Sequence, residues 1–123
     1  MATWTGWESE LLGALGEHAT RPRIRFLRAW AACEGGTARF NPLNTTLYLS
    51  GSTAYNRAGV RNYDDAIMGL AATLLTIRLG YYSGIRAALR ATDITAAQIA
   101  LRSRSGIRTW GTNPDCVIRR LQG

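Results

Sequence analysis

The sequence predicts a mainly α-helical fold in a single domain, residues 1–123, with one polar insertion after the second helix. Three observations predict it. Apolar residues recur at helical spacing in several separate segments, and Pro, Gly and Asp stand where helices would start or stop. Between Gly35 and Asn62 that periodicity gives way to Gly, Asn, Thr, Ser and Tyr. A chain of 123 residues, 46% of them hydrophobic, suits one core and not two.

The first helix is expected from about Trp4 to Glu17, with Trp7, Leu11, Leu12 and Leu15 facing inward. Pro22 suits the first turn of a second helix that ends at Glu34, where Gly35 and Gly36 act as the stop. Within the insertion, Thr46–Leu49 and Ala54–Asn56 are expected to pair as a small polar hairpin or to stay irregular. A loop this long inside one domain usually carries function. Asp64 and Asp65 read as capping residues of a third helix. Its apolar residues Ile67, Leu70, Ala71, Leu74, Leu75 and Ile77 cover more than one face, so it is expected to be central and well buried, with Gly80 ending it. Helices from Ser83 to about Ala91 and from Thr95 to about Ser103 follow. Then come a loop holding Trp110-Gly111-Thr112 and a last helix from Asn113 or Pro114 through Leu121, making about six helices. Trp4, Trp7 and Trp30 read as core residues.

The net charge is +7, and all 15 basic residues are arginine. Such a balance favours polyanionic partners, either nucleic acid or an anionic cell envelope. The arginines are scattered over several helices, which reads as solvation before it reads as a binding track. No apolar run approaches the length of a membrane span. The opening MATWTGWESELLG lacks a basic leader and carries Glu8 and Glu10, so the expectation is synthesis in the cytoplasm without a signal peptide. Cys33 and Cys116 match no zinc or redox spacing. Free buried thiols are the expectation, and a bridge joining the second helix to the last is the alternative. The one histidine, His18, has no cluster of partners, so no metal and no cofactor is expected.

Glu34 is the candidate catalytic residue. It falls four residues after Trp30 and seven after Leu27, so it continues the apolar stripe. A carboxyl in the last helical turn meets the negative end of the helix dipole, and partial burial opposes its charge further. Both effects favour the neutral form that a general acid needs.

The segment CEGGTARFNPLNTT, Cys33 to Thr46, resembles the catalytic region of lysozyme-like proteins. A helix-terminal glutamate, small residues and an Asn-Pro turn are similar to lytic transglycosylases and goose-type lysozymes. The longer order of Asn41-Pro42-Leu43-Asn44-Thr45-Thr46, Tyr55-Asn56, Gly59-Val60, Asn62-Tyr63, Tyr81 to Ile85, Leu89-Arg90 and Trp110-Gly111-Thr112 resembles domains of bacteriophage lysins and tail proteins. The resemblance covers Trp30 to the C-terminus. Two departures stand out: Gly35 replaces the usual serine, and Gly59-Val60-Arg61-Asn62 replaces a Gly-Leu-Met-Gln turn.

What the resemblance implies is a lysozyme-like fold and cleavage of the N-acetylmuramic acid–N-acetylglucosamine bond of a peptidoglycan glycan strand. Glu34 would be general acid and base, and the action would follow release from a host or come as part of a virion. Glycosidases usually employ two carboxyls, yet no Asp or Glu stands between Glu34 and Asp64. That gap favours a one-carboxylate mechanism. Asn44, Thr45, Thr46, Tyr55, Asn56, Tyr63 and Tyr82 are the candidate substrate-binding residues, as amide, hydroxyl and aromatic groups that suit sugars. Trp110 reads as core. A monomer is expected, with no specific nucleic acid among its partners. The alternatives are a small basic nucleic-acid-binding helical protein and a non-catalytic lysozyme-like structural protein.

Overall fold

Helix ends in the computed structural model, which describes residues 4–91, 93, 97, 102 and 107–122, mostly fall where the sequence places its breakers. The architecture is mainly helical with one small antiparallel sheet: α1 (Trp7–Ala14), α2 (Arg21–Glu34), β1 (Thr53–Ala54), β2 (Arg61–Asn62), α3 (Ala66–Ile77), α4 (Ser83–Arg90), α5 (Ile107–Trp110) and α6 (Pro114–Gln122). A 3₁₀ turn, Gly80–Tyr82, leads directly into α4. The helix expected from Thr95 to about Ser103 lies outside the described residues except at Ala97 and Arg102. No described helix is long and apolar enough to cross a membrane.

The α2 helix organises the packing. Pro22 occupies its first turn, and Gly35 ends it in the left-handed conformation (φ 65°), which glycine adopts without a Cβ penalty. Its inner face carries Phe26, Leu27 and Trp30, all buried, against Leu11 and Leu12 of α1, Ile85 and Leu89 of α4, and Val117 and Leu121 of α6. Glu8 is buried in α1, and its carboxylate accepts a 2.6 Å bond from Nε of Arg28. Of the tryptophans expected in the core, Trp30 is buried and Trp7, half-buried, packs against the core cluster. Trp4 differs. It precedes α1, donates through Nε1 to Glu10 at 2.5 Å and meets Phe40 edge-on.

Asp65 is the N-cap of α3, accepting a 2.8 Å bond from the Met68 amide, and Asp64 pairs with Arg39 at 3.5 Å. Asp65 thus caps the helix as expected, while Asp64 does not cap it and pairs with Arg39 instead. The burial of α3 is less complete than its composition predicts. Gly69, Ala72, Thr73 and Ile77 are buried, but Ile67 is 81% and Leu75 50% exposed. Gly69 is needed for packing: a Cβ there would fall 2.1 Å from the carbonyl oxygen of Phe40.

The insertion pairs differently from expectation. Thr53 faces Asn62 and Ala54 faces Arg61, so the chain around Thr46–Leu49 is not a strand. Side chains occupy the backbone groups a partner strand would have used. Asn41, buried, donates to the carbonyls of Thr45 (2.9 Å) and Arg61 (2.8 Å) and accepts from the Thr45 amide (2.9 Å). The Tyr63 hydroxyl donates to the Leu47 carbonyl at 2.6 Å. The Trp110-Gly111-Thr112 stretch is also not a plain loop, since Trp110 closes α5 before the chain turns.

Cys33 and Cys116 form a disulfide, with Cα atoms 6.1 Å apart, which overturns the expectation of free thiols. The packing of α6 along α2 brings the two together across 83 residues of sequence. A link over that separation removes much of the unfolded chain's entropy. Replacing both cysteines by serine is expected to lower the unfolding free energy by about 2–5 kcal/mol in urea titrations; an unchanged midpoint would show the bridge to be mechanically idle.

Candidate functional site

The end of α2 and the start of α6 meet at Glu34, which is half-buried. The Trp30 indole N–H donates to Thr112 Oγ1 at 3.1 Å, and Thr112 Oγ1 donates to Glu34 Oε1. Because an indole nitrogen only donates, the hydroxyl must accept from Trp30, which turns its single proton toward the carboxylate. Asn44 closes the other side. Its Nδ2 donates to the Glu34 carbonyl at 2.9 Å and to Oε2 at 3.3 Å. Glu34 makes no ion pair among the described residues, whose four pairs all lie elsewhere.

Two local features seat Asn44 there. Gly36 lies so close to the Asn-Pro turn that a Cβ would fall 2.3 Å from the Pro42 carbonyl oxygen, so no larger residue fits without moving that turn. Asn44 itself has φ 58°, a left-handed conformation that asparagine tolerates better than most residues. Its Oδ1 is buried and has no hydrogen-bond partner among the described residues. An aromatic stack supports the site from below. Trp110 lies edge-on to Trp30 at 4.9 Å, packs on Tyr82 at 5.0 Å, and donates through Nε1 to the Leu43 carbonyl at 2.8 Å. Trp110 is thus half-buried and packs against the core.

The other candidate residues divide into two groups. Thr45, Tyr63 and Tyr82 are corrected from substrate-binding to structural roles. Thr45 is buried, with Oγ1 2.6 Å from Thr76 Oγ1; Tyr63 is buried on Leu47; and Tyr82 is 9% exposed within the aromatic stack. Thr46, Tyr55 and Asn56 lie exposed on the insertion. The Tyr55 hydroxyl hydrogen-bonds to Thr37, tying the hairpin to the segment after α2, while Asn56 Oδ1 accepts from the Val60 amide at 3.1 Å and holds the hairpin loop. Tyr81, 56% exposed, is the accessible member of the tyrosine pair, and Tyr48 is open on the insertion beneath the Arg61 guanidinium.

Thr112 was the residue that sequence reasoning left without a role. Only its place beside Trp110 in a Trp-Gly-Thr turn, four residues before Cys116, hinted at it. Three concavities formed by the described residues lie away from Glu34. One is lined by Pro22, Phe26 and Ala88, one by Leu15, Arg86 and Leu89, and one by Arg25, Arg28 and Arg120, with Glu34 in none. Among the described residues no group of three or more His, Cys, Asp or Glu is placed to hold a metal ion. Neither a family model, nor a curated protein, nor a solved structure was found to match the chain.

Burial pushes the Tyr63 phenol up from 10.0 to about 12, against the smaller lowering by Arg61 and the Thr45 hydrogen bond. The folded state therefore holds this proton more tightly than the unfolded state. Its contribution is intact below pH 10.0 and is lost as pH rises toward about 12. Tyr63→Phe, losing the bond to Leu47, is expected to cost about 1 kcal/mol at neutral pH. It should also flatten the alkaline fall in stability, as read by denaturant titration across that window; parallel curves for both proteins would refute it.

Proposed function

We propose that this chain is a lysozyme-like glycosidase that cleaves the β-1,4 bond between N-acetylmuramic acid and N-acetylglucosamine in peptidoglycan. The observation that carries this reading is Glu34. It is a carboxyl at a helix end, held by a hydroxyl and an amide with no cation paired to it, and it sits at the root of an Asn-, Thr- and Tyr-rich insertion. A paired arginine would fix the charge and spoil a proton donor; the partners here are the neutral Thr112 hydroxyl and Asn44 amide, which orient the group.

Oε1 accepts from Thr112, so Oε2, with only the longer 3.3 Å contact to Asn44, is the oxygen left to carry the proton. Glu34 protonates the glycosidic oxygen as the C1–O bond breaks, and the 4-hydroxyl of the departing sugar is formed. The carboxylate then takes the proton from the 6-hydroxyl of the muramic acid as that oxygen bonds to C1, closing a 1,6-anhydro ring and restoring the acid. Water in place of the 6-hydroxyl gives hydrolysis by the same residue. The anhydro route is favoured because the insertion holds no acid, and of the two acids that follow it Asp64 pairs with Arg39 and Asp65 accepts from the Met68 amide.

The Cys33–Cys116 bridge supports a place of action outside the reducing cytosol. Such a setting fits a phage lysin released by membrane disruption or carried in a virion. A second reading, a lysozyme-like protein that holds the wall without cutting it, draws on the absence of Glu34 from the three concavities. Wild-type protein should clear a cell-wall suspension. Glu34→Gln should slow that by roughly 10²–10⁴-fold while circular dichroism and melting stay those of the parent. Equal clearing by the variant would end the enzymatic reading. Wall sedimentation without clearing by the wild type would favour the second.

A further inference from the structure

The basic residues are not spread evenly. An open cleft of about 260 Å³ runs between α2 and α6, lined by Arg25, Arg28, Ala29, Ala32, Arg120 and Leu121, with no acidic side chain in its walls. At 100° per residue, Arg25 lies about 180° round α2 from Glu34, so the cleft occupies the far side of the helix from the candidate site.

The three guanidiniums are presented to different degrees. Arg25 is anchored, its Nη2 donating to the Leu121 carbonyl at 2.9 Å. Arg28 uses Nε on Glu8, while its side chain stays 70% exposed and its two Nη groups have no partner among the described residues. Arg120 is exposed and has no ion pair or hydrogen bond among the described residues. Ala29 and Ala32 add little bulk between them. The result is one anchored guanidinium, one that pairs with Glu8 through Nε and keeps both Nη groups open, and one with no partner among the described residues.

We propose that this cleft binds a flexible polyol-phosphate polymer, such as a poly(glycerol phosphate) chain, through successive phosphates on Arg28 and Arg120. Guanidiniums bind phosphate by paired N–H donors and cannot lose their charge. Nucleic acid fits less well, because single strands gain from aromatic stacking and no aromatic side chain lines the cleft. A polymer of this kind needs only charge and an open track. That it would be borne on the cell wall rests on the function proposed above; the binding itself does not.

The test uses the intact, oxidised protein and fluorescently labelled poly(glycerol phosphate), with single- and double-stranded DNA of matched charge as comparison probes. Arg120→Glu should weaken polymer binding roughly tenfold at low salt and reduce the salt dependence by about one counterion. Arg57→Glu, an equal charge change on the exposed hairpin loop, should alter it less than about twofold. Equal losses in the two variants, no binding of the polymer, or tighter binding of either DNA would each overturn the proposal. Binding is read without any lytic step. A protein that grips the polymer but cuts no glycan upholds this inference against the enzymatic one, and a protein that cuts glycan but ignores the polymer does the reverse.

Discussion

The role proposed for Glu34 depends on the Thr112 hydroxyl. Its oxygen accepts a hydrogen bond from a buried indole and its proton is donated in a hydrogen bond to Glu34, so the direction of the relay is decided by Trp30, which can only donate. Trp30 is the most voluminous of the fully buried side chains. The carboxyl's seat is thereby tied to the centre of the core, and not to a mobile surface group. Side chains held by packing lose little further freedom when they engage a ligand, which is how a site gains precision from a scaffold.

Three other constraints converge on the same place. The disulfide joins the residue before Glu34 to α6, four residues after Thr112, so both ends of the relay are fastened covalently. Gly36 lets the Asn-Pro turn rest on the helix end, and that contact delivers Asn44. Asn41 then bonds the insertion to itself through Thr45 and Arg61, so that a segment with little regular structure still has its buried polar groups satisfied. The opposite side of α2 has another character: cations in an open cleft, and no carboxylate within it. One helix thus presents an acid at one face and a phosphate-compatible track at the other.

How much of this was legible in the sequence follows from the range of each interaction. The end of α2 at Gly35, the cap at Asp65 and the start of α6 at Pro114 were readable because a breaker or cap acts on its immediate neighbours. Glu34 was readable from its place on the stripe of Leu27 and Trp30. Its partner Thr112 was not, being 78 residues away and dependent on how α5 and α6 dock. For the same reason the Cys33–Cys116 bridge was legible only as the alternative to free thiols. Residue chemistry alone could not separate Tyr55, exposed, from Tyr63, buried, or Tyr81 from Tyr82. Adjacent tyrosines look alike in sequence, and only the turn that delivers them decides which one enters the core. The open face of α3 shows the opposite error, since apolar composition implied burial that Ile67 and Leu75 do not have.

The most direct measurement is mass spectrometry of the soluble products after purified sacculi are incubated with the oxidised protein. One acid working alone, with the sugar's own hydroxyl as acceptor, should release fragments that end in 1,6-anhydro-N-acetylmuramic acid. Sacculi left intact, or fragments that end in a reducing N-acetylglucosamine, would contradict the role assigned to Glu34.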